Sequence, residues 1–160
     1  MYSKILVPVD GSSASMRGLR EAVQLAHALN ASMRLLYVID GLEVASSAAA
    51  GADFQVCFSH VQTEGVELLR SCAALAAEAH VAVDTSLVDS NYTRVGECIV
   101  AKAAEYGSHL IVCGTHGRRG LRRLLMGSDA EYILRHTPVP ILLVRADAVE
   151  AAPLTGDDRT

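Results

Sequence analysis

No apolar run in this chain of 160 residues approaches the roughly 18 to 20 residues that a bilayer span requires. Its opening, Met1 to Asp10, reads as a strand and not as a secretory leader, so the expectation is a cytoplasmic protein with no membrane partner. A basic excess is missing as well. The formal net charge is −4, with Asp147, Glu150, Asp157 and Asp158 against Arg159 concentrating most of it in the last residues. That balance argues against a nucleic-acid partner. Cysteine is sparse and scattered: Cys57, Cys72, Cys98 and Cys113 form no C-x-x-C pair, which argues against a zinc site or a redox dithiol. Each stands among apolar neighbours, where a free thiol acts as a small hydrophobe. Cys113 stands apart because it immediately precedes a glycine loop.

The usual catalytic signatures are absent too. There is no G-x4-G-K-[ST] phosphate loop, no G-x-G-x-x-G after the first strand and no G-x-S-x-G elbow. His116 could exchange a proton beside a phosphate, but no residue is placed to orient it and no carboxylate pair is placed to hold a metal. No catalytic residue is therefore assigned. Cys57, His60 and Glu64 recur at helical spacing, which suits either the edge of a metal site or a solvated helix face. The solvated face is the simpler reading, and no metal site is assigned.

What the chain does have is the run Gly114, Thr115, His116, Gly117, followed after a spacer by Gly127 and Ser128. It lies between an apolar strand, Leu110 to Cys113, and a helix reaching His136. Glycines at 114, 117 and 127 would permit positive φ and a close approach of ligand to backbone. Ser128 would open the helix, its hydroxyl and the following free N–H groups facing one point, a ready anion site. Arg118, Arg119, Arg122 and Arg123 make the loop cationic, some reaching phosphate and the rest facing solvent. Ser128-x-x-Glu131 is also a capping box, and the two roles are compatible.

The remaining elements alternate. Strands are expected at Ile5 to Val9, Met33 to Ile39, Val81 to Val88, Leu110 to Cys113 and Ile141 to Val144. Helices are expected where Met16 to Leu29, Val61 to Ala79, Val95 to Tyr106 and Ser128 to His136 show the 3.6-residue period, with Ser12 or Ser13 capping the first. Asp40 to Asp53, rich in Ala, Ser and Gly without a period, reads as a mobile loop. The fold class is α/β: an open, doubly wound, parallel sheet of Rossmann-like type with helices on both faces. With 51% hydrophobic content, residues 1–145 suit one domain. Residues 146–160 read as an acidic disordered tail.

The G-x2-G-x9-G-S spacing, the opening Ile5-Leu6-Val7-Pro8-Val9-Asp10-Gly11-Ser12 and the ending Pro138-Val139-Pro140-Ile141-Leu142-Leu143-Val144 together resemble the ATP-binding branch of the universal stress proteins. The resemblance implies five strands in the order 3-2-1-4-5 and brings Asp10 and Gly114 to one crevice. It also implies ATP as the ligand, or ADP or AMP, with magnesium or manganese held only through the phosphates. Pro8, Val9 and Val38 would line the adenine, and Asp10 would accept bonds from ribose hydroxyls, although a carboxylate before Gly11 is also an ordinary turn residue. Gly114, His116, Gly117 and Arg118 would line ribose and phosphates. Gly127, Ser128 and the N–H groups of Asp129 and Ala130 would hold the phosphate tail.

Two departures from the family pattern stand out. The turn Asp89 to Gly96 is longer than the usual Gly-x-Pro and lacks proline. Asp129 puts a carboxylate where an uncharged residue is common; it suits the helix dipole but repels phosphate, so it is expected to turn to solvent or to hold a bridging cation. The function implied is a nucleotide-dependent regulatory or interaction module in the stress response, with an unidentified protein partner. A slow ATP hydrolase or phosphotransferase using the same site is the alternative, and a structural dimer without nucleotide is a third possibility that the intact glycine spacing disfavours. Ile141 to Val144, apolar throughout and last in the sheet, is expected to join two copies as a homodimer.

Overall fold

Strands as apolar as Ile5 to Val7 or Leu110 to Cys113 are stable only when covered from both sides, and that requirement organises the molecule. The computed structural model describes residues 2–115 and 126–146. In chain order the elements are β1 (Lys4–Pro8), α1 (Ser13–Leu29), β2 (Ser32–Ile39), α2 (Gly41–Ala49), α3 (Phe54–Glu78), β3 (Val83–Asp89), α4 (Val95–Tyr106), β4 (Leu110–Gly114), α5 (Ser128–His136) and β5 (Ile141–Val144). The five strands are all parallel in the order β3-β2-β1-β4-β5, an α/β Rossmann-like sheet, as expected.

The period-2 alternation of each strand distributes its side chains to two cores. Ile5 and Val7 of β1, Met33 and Leu35 of β2 and Val112 of β4 face Leu19 and Ala22 of α1 and Leu69, Cys72 and Ala76 of α3. Leu6, Leu36, Ile111 and Cys113 point the other way, onto Ile99 and Ala103 of α4 and Ile133 of α5. Ser12 caps α1, its side chain accepting from Ser15 N, and Asn30 closes that helix in the left-handed conformation.

Three differences from the sequence expectation exceed a single residue. The segment read as a loop between Asp40 and Asp53 contains the helix α2. Asp40 caps it by accepting from Leu42 N and Glu43 N, and Val44, 2% exposed, anchors it to the first core. Its alanines favour helix, while its two serines and the glycine at its start hid the period. The next helix begins at Phe54, ahead of Val61, because Asp53 accepts from Val56 N. Strand three begins at Val83; Val81 is instead tied to the end of α3 through its N–H to Ala76 O.

Candidate functional site

From β1 the chain crosses to β2 on one side, while β4 lies on the other, so the helices that follow these strands diverge and leave a crevice at the carboxyl ends of β1 and β4. The first turn of α1 fills its base. Asp10 N donates to Ser15 Oγ at 3.3 Å, and Asp10 Oδ1 accepts from Ser12 N at 2.9 Å, so the carboxylate shapes the turn that follows β1. Gly114 packs against the same turn: a Cβ there would stand 2.7 Å from the carbonyl carbon of Ala14 and 2.8 Å from Ser15 N. Asp10 and Gly114, distant in sequence, thus meet at Ala14 and Ser15.

The chain leaves β4 at Thr115 and returns at Gly127, where Gly127 N donates to Thr115 O at 2.8 Å. Gly127 is the N-cap of α5 with φ −61 and ψ 149, and among the described residues no side chain caps this helix. Positive φ, one reason read from the sequence for the glycines, is found at neither Gly114 nor Gly127. Gly114 is small because α1 presses on it. The capping box is not formed either: Glu131 N bonds Gly127 O as ordinary helix, and the Glu131 carboxylate pairs with Arg135 Nη2 at 2.7 Å. Ser128 is therefore the first helical residue, and the N–H groups of Ser128, Asp129 and Ala130 have no intrahelical acceptor. An uncapped helix start of this kind favours an anion.

Asp129 does not turn to solvent: its Oδ1 accepts the Gly96 N–H of α4 at 3.0 Å. Gly96 lies at the end of the atypical turn after β3. That turn carries two consecutive non-glycine residues at positive φ, Asn91 at 49° and Tyr92 at 65°. Buried Ser90 accepts the Gly41 N–H at 3.1 Å and ties the turn to the start of α2. On the β1–β2 side, Val9 N is committed to Leu36 O at 2.9 Å, and the Val38 side chain packs toward α4 in the second core. Pro8 ends β1 half-buried. His116, Gly117, Arg118, Arg119, Arg122 and Arg123 lie outside the described residues, as does the reading of 147–160 as an acidic tail.

The thiols divide by burial. Cys113, under the crevice, is buried and its pKa is pushed up to about 12 by the loss of solvent. Burial also raises that of Cys72. Neither offers a thiolate near neutral pH. Cys57 and Cys98 are only half-buried. Cys57 packs at the rim of the first core while His60 Nε2 sits 3.4 Å from Glu64 Oε1 on an exposed face.

Ser15, Thr115 and Gly96 organise this region and were not singled out from the sequence. Ser15 had a visible signal, the Ser12-x-x-Ser15 spacing at the start of α1. Thr115 acts through its carbonyl and Gly96 through its N–H, so the side chain announces neither role.

The universal stress protein family model matches residues 1–145 of the chain. The chain belongs to the universal stress protein family. It is 31% identical over 145 residues to a universal stress protein of Methanocaldococcus jannaschii, covering 91% of this chain and 83% of that one. It is also 31% identical over 151 residues to the universal stress protein YxiE of Bacillus subtilis, covering 91% of this chain and all of the other. Among solved structures, the hypothetical protein MJ0577 superposes with a TM-score of 0.80 at 24% identity over 92% of this chain and 99% of its own. A universal stress protein of Archaeoglobus fulgidus in complex with dAMP superposes with a TM-score of 0.65 at 20% identity, over 89% and 98% of the two chains. A universal stress protein solved in complex with cAMP superposes at 0.64 and 22% identity, over 91% and 98%. At these identities the structural likeness speaks for the fold. Among the described residues, no helix is long and apolar enough to cross a membrane.

Proposed function

We propose that this universal stress protein binds an adenine nucleotide, ATP first among the candidates, across the carboxyl ends of β1 and β4, and that occupancy changes which partner protein it contacts under stress. The observation that carries the reading is the start of α5, which has no side-chain cap among the described residues and is held to the exit of β4 by the Gly127 N to Thr115 O bond, while Asp10 lies in the turn after the neighbouring strand β1. Backbone N–H donors suit phosphate, and a carboxylate suits a ribose diol, so the donor set fits a nucleoside phosphate. The complexes of two fold relatives with dAMP and cAMP support the adenine.

In this reading Pro8, Val9 and Val38 line the base and Asp10 takes the ribose. Gly114, His116, Gly117 and Arg118 line ribose and phosphates. Gly127, Ser128 and the N–H groups of Asp129 and Ala130 take the phosphate tail, with magnesium or manganese entering only on the phosphates. The test is to denature the purified protein, identify any released nucleotide by mass spectrometry, and titrate the nucleotide-free protein with ATP and GTP. Release of an adenine nucleotide and a clear preference for ATP are expected. Absence of binding to any adenine nucleotide at millimolar concentration would overturn the proposal, and equal affinity for GTP would overturn the adenine assignment.

A further inference from the structure

Helix α4 starts without a cap of its own: Arg94 holds the N-cap position and its side chain makes no capping bond. The missing acceptor arrives from the neighbouring helix, where Asp129 Oδ1 takes the Gly96 N–H at 3.0 Å. The two helices are in close contact at that point. A Cβ on Gly96 would lie 3.0 Å from the Asp129 carbonyl oxygen and 3.1 Å from Tyr132 Cβ. Two helix starts, each with positive partial charge, therefore share one carboxylate, which both stabilises. The first turn of α5 is thereby held at two points, to β4 through Thr115 and to α4 through Asp129.

The geometry points to Asp129 as a positioning residue for the phosphate-binding end: by tying α5 to Gly96 of α4, its carboxylate keeps the N–H groups of Ser128, Asp129 and Ala130 together in the crevice. This rests on the nucleotide reading above. A carboxylate beside a polyphosphate costs affinity through repulsion, yet one committed to a backbone N–H is partly neutralised by it, while its loss would leave the donor set to be ordered at each binding event. Ordering is the larger effect. The clamp also joins the turn after β3, with its positive-φ residues Asn91 and Tyr92, to the ligand crevice.

Asp129→Ala removes the acceptor, and Asp129→Asn keeps an oxygen in place of Oδ1 without the charge. Alanine is well tolerated in a helix, so both variants are expected to fold. ATP affinity is measured by calorimetry well below the unfolding temperature of each, and exchange of the Gly96 amide is followed by NMR without nucleotide. Asp129→Ala is expected to speed Gly96 exchange and to weaken ATP about tenfold, as when only a tenth of the molecules are binding-competent. Asp129→Asn is expected to restore Gly96 protection and to bind at least as tightly as the wild type, with or without magnesium. Wild-type affinity in Asp129→Ala would overturn the positioning role. So would an Asp129→Asn variant as weak as Asp129→Ala, and that variant decides alone if the alanine one does not fold. A wild type that binds no nucleotide but protects Gly96 would overturn the function proposed above and this role with it, leaving a purely structural clamp.

Discussion

Gly114 and Gly127 belong to one motif yet answer to different physical demands. At Gly114 a side chain would collide with the backbone of Ala14 and Ser15, so the glycine is required by the docking of α1 on β4 before any ligand enters. At Gly127 the backbone, φ −61 and ψ 149, suits any L residue, so backbone conformation does not require the glycine, and the proposed phosphate site offers a reason for it. The two should separate in experiment. Gly114→Ala is expected to lose about 1 to 3 kcal/mol of stability in urea unfolding, the usual cost of overpacking. Gly127→Val should lose less than about 1 kcal/mol, a poor N-cap residue replacing a tolerated one. It should nevertheless weaken ATP by more than about tenfold, roughly 1.4 kcal/mol. Gly127→Val with wild-type affinity would remove the phosphate from that end of α5. The same contrast shows how far a motif can be read: the spacing marked both positions, but only the packing of α1 reveals why Gly114 lacks a side chain.

Among the elements, α2 is the least visible in the sequence and the most dependent on its surroundings. Nine residues are too few to hold a helix in water by propensity alone. Docking supplies the rest: the Asp40 cap, the Gly41 N–H on Ser90 and one buried apolar side chain, Val44. Asp40→Ala should therefore act locally. Removing the cap is expected to cost about 1 kcal/mol, read as faster hydrogen exchange in Leu42 to Ala49 while the amides of β1 and β4 keep their protection. Uniform acceleration across the sheet would show that α2 is part of the global folding unit. Helices α1, α3 and α4 were legible because each buries a long apolar stripe, which leaves a period in the sequence. A helix anchored by a single valine leaves none.

At the scale of the molecule, the unguarded feature is the β5 edge. Among the described residues it pairs only with β4, ends the sheet and leaves Leu142 40% exposed. An apolar edge strand with no charged residue within it invites another strand, and antiparallel addition of a second copy would satisfy its backbone around a two-fold axis. Light scattering is expected to report twice the 17.0 kDa chain mass at micromolar concentration, and Leu142→Lys to shift it toward the monomer. A wild-type monomer under those conditions would refute the pairing.

Read alone, the residues determined the alternation of strands and helices, because burial on two faces demands apolar runs and amphipathic periods that are local and countable. With the family resemblance, they also determined the strand order and the candidate ligand crevice. Other features depended on chain segments that meet only in the fold. The docking of α2 on Ser90, the pressure of α1 on Gly114 and the bond from Gly96 to Asp129 join residues far apart in sequence, through backbone groups or the absence of a side chain. Backbone N–H groups are the same at every position, so no residue name announces which of them will be left without a partner. The sequence could mark Asp129 as a charge in an unexpected place, but only the tertiary structure decided what that charge holds.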